Sequence, residues 1–350
     1  VAALTVSVVI PTRNRPSSLK RLLAALAAQE RLPDEVIVSD ASDEPLNGAA
    51  LTAAYPALAI SCFHMAPALC AQRNRAIARA AGSHILLCDD DIEPGPSYLR
   101  RLVEYLEGHA EAGAVSGRVC HPDAVASAGG GFPAPSFRHL LYDFVFQLGL
   151  GGNVGGVTAP RLLAPILKSM QRWYERRGNT WTLAGWPLVT QVRHPVVLAS
   201  VGVLGAALVR RTWLLNSPYD ERLDRLDPHA VGDNYGVALG FPGTETIAVL
   251  TDLPVGHRQA PENRLPRSTV HYQRILALHY FMRRSGRFST WNTAWLVWSL
   301  AGYAGRFLRA GQHDLFRATV AALAGIIQNR NPLLGRALDS SSASPGPPVT

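Results

Sequence analysis

Short apolar, β-branched runs alternate with stretches of helical spacing along the first third of the chain. Residues 6–10 (Val-Ser-Val-Val-Ile), ended by Pro11, read as a strand buried on both faces. Leu19, Leu22, Leu23 and Leu26 then recur at helical spacing, with Ser17 or Ser18 available as N-cap. Residues 35–39 predict a second strand stopping at Asp40, and residues 58–62 offer a third. An alanine- and arginine-rich helix is expected over 71–81, ending at Gly82. Residues 84–88 form another buried strand before Asp89, and 98–106 another helix. This alternation predicts βαβ units and a parallel sheet with right-handed crossovers. Ligands of such sheets sit beyond the carboxyl ends of the strands. The polar residues that follow the strands, Thr12-Arg13-Asn14, Asp40 and Asp89-Asp90-Asp91, would therefore gather at one rim.

The pattern weakens over 124–200, where the glycines at 129–131 and 149–156 read as flexible loops. Residues 271–284 again suit a helix. Residues 288–305 then hold no formal charge, which is the lower edge of a membrane span, but Asn292, Thr293, Ser299 and two glycines dilute them. Trp291, Trp295 and Trp298 fall on one helical face with arginines nearby, as in a helix lying at a membrane surface. The alternatives are a true span, or a packed helix with its tryptophans in the core. Residues 339–350, rich in Ser and Pro, predict a disordered tail.

Composition changes the picture in two places. The chain of 350 residues is 47% hydrophobic, which excludes wholesale disorder, and its net charge of +8 is uneven. Twelve arginines stand between residues 258 and 336 against Glu262 and Asp314 alone, so an anionic partner is expected there. Nucleic acid would satisfy the charge, but no nucleic-acid-binding motif accompanies it. Cys62, Cys70, Cys88 and Cys120 form no CxxC pair and read as reduced thiols. With no leader-like opening, the expectation is a cytoplasmic protein at the inner face of the cell membrane.

Three adjacent aspartates at a strand end repel one another unless a cation offsets them. Hard oxygen ligands suit Mg²⁺ or Mn²⁺, which can bridge a diphosphate. The plainer reading is a solvated acidic turn leading into the next helix through Glu93-Pro94.

In order and spacing these motifs resemble family 2 glycosyltransferases. Residues 8–15 (Val-Val-Ile-Pro-Thr-Arg-Asn-Arg) look like that family's opening strand, and 36–43 like its second. Residues 72–77 and 80–82 look like the helix before the metal motif, and 86–91 like the DxD strand. Residues 205–211 resemble the acceptor-side segment; 219–223 followed by Gly232-Asp233-Asn234 resemble the region of the catalytic base. The resemblance implies an α/β fold of GT-A type: a mainly parallel central sheet flanked by helices, Rossmann-like in its nucleotide-binding half, plus a helical C-terminal region. It divides the chain into a nucleotide-sugar half (1–123), an acceptor half with an insertion (124–260), a basic aromatic helical region (261–338) and the tail (339–350).

The resemblance also implies an inverting, metal-dependent transfer from a nucleoside diphosphate sugar, a UDP-sugar by default, to a glycan or lipid-linked acceptor in polysaccharide or glycolipid assembly. Pro11, Thr12, Arg13, Asp40, Arg73, Asp89 and Asp90 would meet the nucleotide, Asp40 through its base. Asp91, with Asp89 and His257, would hold Mg²⁺ or Mn²⁺. Asp233 would be the general base, although the family usually has Glu-Asp where this chain has Gly232-Asp233. Three rivals are a nucleotidyltransferase, a processive membrane synthase and an inactive carbohydrate- or membrane-binding module. The first lacks its glycine-rich loop after the first strand; the second lacks its spans and its Gln-x-x-Arg-Trp motif.

Overall fold

The computed structural model describes residues 4–120, 133–192, 195–202 and 204–335; the glycines at 129–131 and the tail at 339–350 lie outside these residues. In chain order the nucleotide-side elements are β1 (Val6–Thr12), α1 (Pro16–Ala27), β2 (Glu35–Asp40), α2 (Gly48–Ala54) and β3 (Ile60–His64). They continue with α3 (Leu69–Arg79), β4 (His84–Cys88), β5 (Ile92–Glu93), α4 (Tyr98–Gly108) and β6 (Ala114–Cys120). Next come α5 (Phe137–Phe146), β7 (Leu150–Gly151), α6 (Ala164–Arg177), β8 (Leu188–Val189), β9 (Val196–Ala199) and β10 (Ala206–Arg210). The remainder is α7 (Arg211–Asn216), α8 (Arg222–Leu226), α9 (Asp233–Leu239), β11 (Ile247–His257), α10 (Arg267–Arg284), α11 (Thr290–Arg309) and α12 (His313–Ile327).

A nine-stranded sheet runs β3-β2-β1-β4-β10-β6-β11-β5, with β9 on the outer side of β11. Strands β3, β2, β1, β4, β6 and β11 share one direction; β10, β5 and β9 oppose it. Alternate residues feed cores on the two faces. Val8, Ile10, Val36, Val38 and Leu86 pack with α1 and α4, while Val9, Ile37, Ile85 and Leu87 pack with α3 and α7–α10. That is why the strands read as unbroken apolar runs.

The expectation of loops over 149–156 fails. Leu150–Gly151 pairs with Leu188–Val189, and Val154 is buried with Leu140, Leu167, Met170, Tyr174 and Leu188 in a small separate core. Its contacts are spread over elements too short to leave a periodic pattern. Asn179 ties this unit to the main sheet. Its Oδ1 accepts the Thr190 and Gln191 amides, and its Nδ2 donates to the Gln191 and Leu198 carbonyls, each at 2.8 Å.

Helices α10, α11 and α12 form the C-terminal layer. Leu296, Ser299, Leu300 and Gly302 of α11 are buried, whereas Trp291 and Trp298 are 76% and 46% exposed. Among the described residues no helix is long and apolar enough to cross a membrane, and the tryptophan face is not core. The Trp186 indole donates to Ser299 Oγ (2.9 Å) and the Tyr142 hydroxyl to the Gly302 carbonyl (2.6 Å), joining the insertion to this layer.

Asn179→Ala should cost about 2–4 kcal/mol in urea unfolding, since it strands four backbone groups in a buried position. A loss below about 1 kcal/mol would mean that water replaces the amide and that Asn179 does not staple the insertion.

Candidate active site

The sheet reverses its strand order between β1 and β4, and the chemistry collects at the carboxyl ends of these two strands. A cleft of about 310 Å³ opens there, bounded by Pro11, Thr12, Arg13, Arg15, Gln72, Arg73, Asp89, Asp90, Asp91, His257 and Arg264, among others. A larger groove, about 970 Å³, lies between α4 and β9 and touches none of the strand-end aspartates. Gln72 of α3 fixes the rim by donating to the Ser39 carbonyl (2.7 Å) and the Thr12 carbonyl (3.2 Å).

Arg73 follows Gln72 and is buried. Its guanidinium binds Asp89 Oδ1 at 2.7 Å, pairs with Asp233, and lies 5.0 Å over the Tyr219 ring. Burial works against this charge, but Tyr219 and Asp89 hold the pKa above the usual guanidinium value. The helix carrying Arg73 has no cap of its own at Ala68; Asp224 of α8 supplies one, accepting the Cys70 and Ala71 amides at 2.9 Å. Burial pushes Asp224 up to about 6.

The other two aspartates also have protein partners. Asp90 accepts from Thr12 Oγ1 (2.8 Å) and Arg15 (3.1 Å), and burial pushes it up to about 6 despite Arg15. Asp91 meets His257 Nε2 at 3.0 Å through Oδ1; its Oδ2 takes the Ala260 amide (2.9 Å) and Arg264 (3.0 Å). Burial would raise Asp91, yet the His257 hydrogen bond and the Ala260 amide hold it below the usual carboxylate range.

Asp233 begins α9, and Gly232 before it has φ of 98°. A Cβ on Gly232 would stand 2.8 Å from the Ala277 side chain, so the close approach of α10 leaves no room for the glutamate usual in the resembling family. Gly205 serves Asp89 in the same way: a Cβ there would lie 2.1 Å from Asp89 Oδ2.

Asp40 behaves differently from the expectation. It is fully buried and outside the cleft lining, and its oxygens accept the Ser42 (2.9 Å) and Leu46 (2.8 Å) amides. What it does here is shape the loop after β2. Likewise the Thr12 carbonyl is taken by the Ala41 amide (2.9 Å) and Gln72. Arg13 pairs with Asp43 at 3.7 Å on the cleft edge. Sequence reasoning missed Arg15, Arg264 and His229 as cleft residues. His229 bridges Asp227 (2.6 Å) and the Asn263 carbonyl (2.9 Å). Charge against the acidic triplet was the signal available for the two arginines.

The mainly parallel sheet and its switch-point cleft define a fold of the GT-A class. It is similar to S. aureus TarS 1–349, with a TM-score of 0.52 and 13% identity over 97% of this chain and 91% of that one. The same TarS segment in complex with UDP-GlcNAc gives a TM-score of 0.53 at 14% identity, with equal coverage. The family model of glycosyl transferase family 2 matches residues 7–157 of this chain. A Bacillus subtilis (strain 168) relative, the uncharacterized glycosyltransferase YwdF, is 33% identical over 118 residues, 32% of this chain. The match spans 43% of that relative's length.

Gly205→Ala should displace the Asp89 carboxylate from Arg73 and cost about 1–3 kcal/mol in chemical denaturation. Gly151→Ala, with open space at its Cβ position, is the control. Equal stability of the two variants would show that the Asp89–Arg73 pair does not depend on Gly205.

Proposed function

We propose that this chain is an inverting, metal-dependent glycosyltransferase that moves a sugar from a nucleoside diphosphate to an acceptor hydroxyl, with a UDP-sugar as the default donor. One observation carries the reading: a single buried arginine joins Asp89, on the nucleotide side, to Asp233, on the acceptor side. Arg73, which lines the cleft, therefore ties the candidate base to the candidate diphosphate site. Four arginines line this cleft against three aspartates, a balance that favours an anionic ligand.

The diphosphate lies toward Arg73 and the Asp89–Asp91 turn, and the base end of the nucleotide toward Pro11, Thr12, Arg13 and the loop shaped by Asp40. Asp91 Oδ1 and His257 Nε2 are 3.0 Å apart. They form a hydrogen-bonded pair on the cleft wall, and an oxygen and an imidazole nitrogen are donors that a divalent cation accepts. Among the described residues no three side chains make a complete metal cage, so Asp91 and His257 would hold Mg²⁺ or Mn²⁺ together with substrate phosphate and water. When bound, the cation offsets charge developing on the leaving diphosphate.

Asp233 takes the proton of the acceptor hydroxyl as its oxygen attacks the anomeric carbon. The new C–O bond forms as the bond to phosphate breaks, and the electron pair leaves with the nucleoside diphosphate. One displacement inverts the centre. The acceptor is a glycan or a lipid-linked glycan, in polysaccharide or glycolipid assembly, at the cytoplasmic face of an anionic membrane.

Excess EDTA should stop transfer from the UDP-sugar, and added Mn²⁺ or Mg²⁺ should restore it; full transfer in EDTA would remove the metal from the mechanism. Asp233→Asn keeps the shape but not the base, so transfer should fall by about 10²–10⁴ while UDP binding survives. Near-normal turnover in that variant would move the base elsewhere. NMR of the product should show an inverted anomeric centre, and retention would overturn the single displacement.

A further inference from the structure

Helices α5 and α11 lie side by side. Trp298 Nε1 donates to the Val145 carbonyl (2.8 Å), its ring stacks on Phe146 at 5.0 Å, and Arg306 pairs with Asp143. Their outer surfaces are apolar and exposed. Leu141 and Val145 of α5 are 36% and 45% accessible; on α11 Trp291, Trp295 and Trp298 are exposed, and Trp298 meets α5 at Val145. Large exposed side chains grouped this way mark an interaction surface rather than ordinary scatter.

The chemistry of the rim selects the partner. Exposed Arg138 shares the face of Leu141 and Val145 on α5, and Arg309 closes the far end of α11 beside exposed Leu308. Helix α11 holds no acidic residue, and Asp143, the one acid of α5, is buried under Arg306. Tryptophans flanked by arginines, on a helix too polar to cross, suit the headgroup boundary of a bilayer. We infer that the α5–α11 face docks on the surface of an anionic lipid bilayer.

The same face borders the acceptor side. Asn292, next to Trp291, donates to the Leu183 carbonyl at 2.7 Å. Two residues on, the Gly185 carbonyl accepts the Tyr235 hydroxyl (2.7 Å), and Tyr235 stands two residues after Asp233. Resting on the proposed glycosyl transfer, this placement makes a lipid-linked acceptor the substrate class that reaches Asp233.

Flotation of the full chain with vesicles tests the docking. Binding is expected to phosphatidylglycerol-containing vesicles, to weaken with salt, and to be far weaker on pure phosphatidylcholine. Trp291→Ser with Leu141→Ser, both at exposed positions, should lower partitioning on the order of tenfold while circular dichroism and melting stay unchanged. Brominated lipid should quench tryptophan emission of the wild type more than that of the variant. Absence of binding, equal binding to neutral vesicles, or binding unchanged in the variant overturns the inference. So does a stable dimer abolished by Trp291→Ser, which would make the face a contact between copies. Asp233→Asn protein should bind vesicles as the wild type does. Docking and transfer therefore fail separately.

Discussion

The buried guanidinium of Arg73 is held by one carboxylate from the sheet and one from the helical side of the molecule. Burying Arg73 and Asp233 carries a desolvation cost that only close pairing offsets, and removal of one partner leaves an uncompensated charge. Arginine suits the position because its rigid fork can serve two carboxylates at once. Much of the local sequence serves this contact. Asp224 caps the helix that carries Arg73, Gln72 fixes that helix to the ends of β1 and β2, and Gly205 leaves space for Asp89. Gly232 lets α9 start against α10 with Asp233 in place.

The acidic triplet looks different once its partners are known. Repulsion among three adjacent aspartates suggests a cation from sequence alone, yet here arginines, a histidine and backbone amides already offset each of them. Repulsion therefore carries little of the argument for a metal. What remains is the chemistry of Asp91 and His257 as donors on the cleft wall, beside four arginines that suit an anionic ligand. Arginines already seated on the aspartates also mean that an incoming anion competes for pairs the protein has formed.

Strands β1, β2 and β4 were legible because they are buried on both faces and spell themselves as apolar runs closed by a polar residue. Periodicity gathered Thr12, Arg13 and Asp89–Asp91 at one rim because strand ends are set by local signals, whereas Arg73 and His257 came only from the family resemblance. Asp40 was placed correctly on the chain but not in its contacts: whether a strand-end carboxylate faces a cleft or caps its own loop depends on two backbone amides that sequence does not reveal. The insertion was illegible for another reason. Its order comes from Asn179, from a two-residue strand pair and from a small core drawn from distant positions, none of which leaves a period. For α11 the pattern gave the tryptophan face, and only packing decided that the opposite face is the buried one.

The insertion and the C-terminal layer together brace the helix that bears Asp233. Tyr235 of α9 bonds to Gly185 of the insertion, Asn292 of α11 holds Leu183 of the same loop, and Tyr280 of α10 donates to Asp220 at 2.5 Å. Asp220 stands next to Tyr219, the ring under Arg73. The short helix bearing Asp233 thus shares a core with the sheet and is further braced by the insertion loop and α10. A seven-residue helix has little stability of its own, so its position depends on these contacts. Variation in the insertion or in α11 could therefore alter the path of an acceptor to Asp233 while leaving β1, β4 and the cleft beneath them unchanged. On the proposed reading, this division puts donor chemistry on the rigid sheet and acceptor choice on the parts built around it.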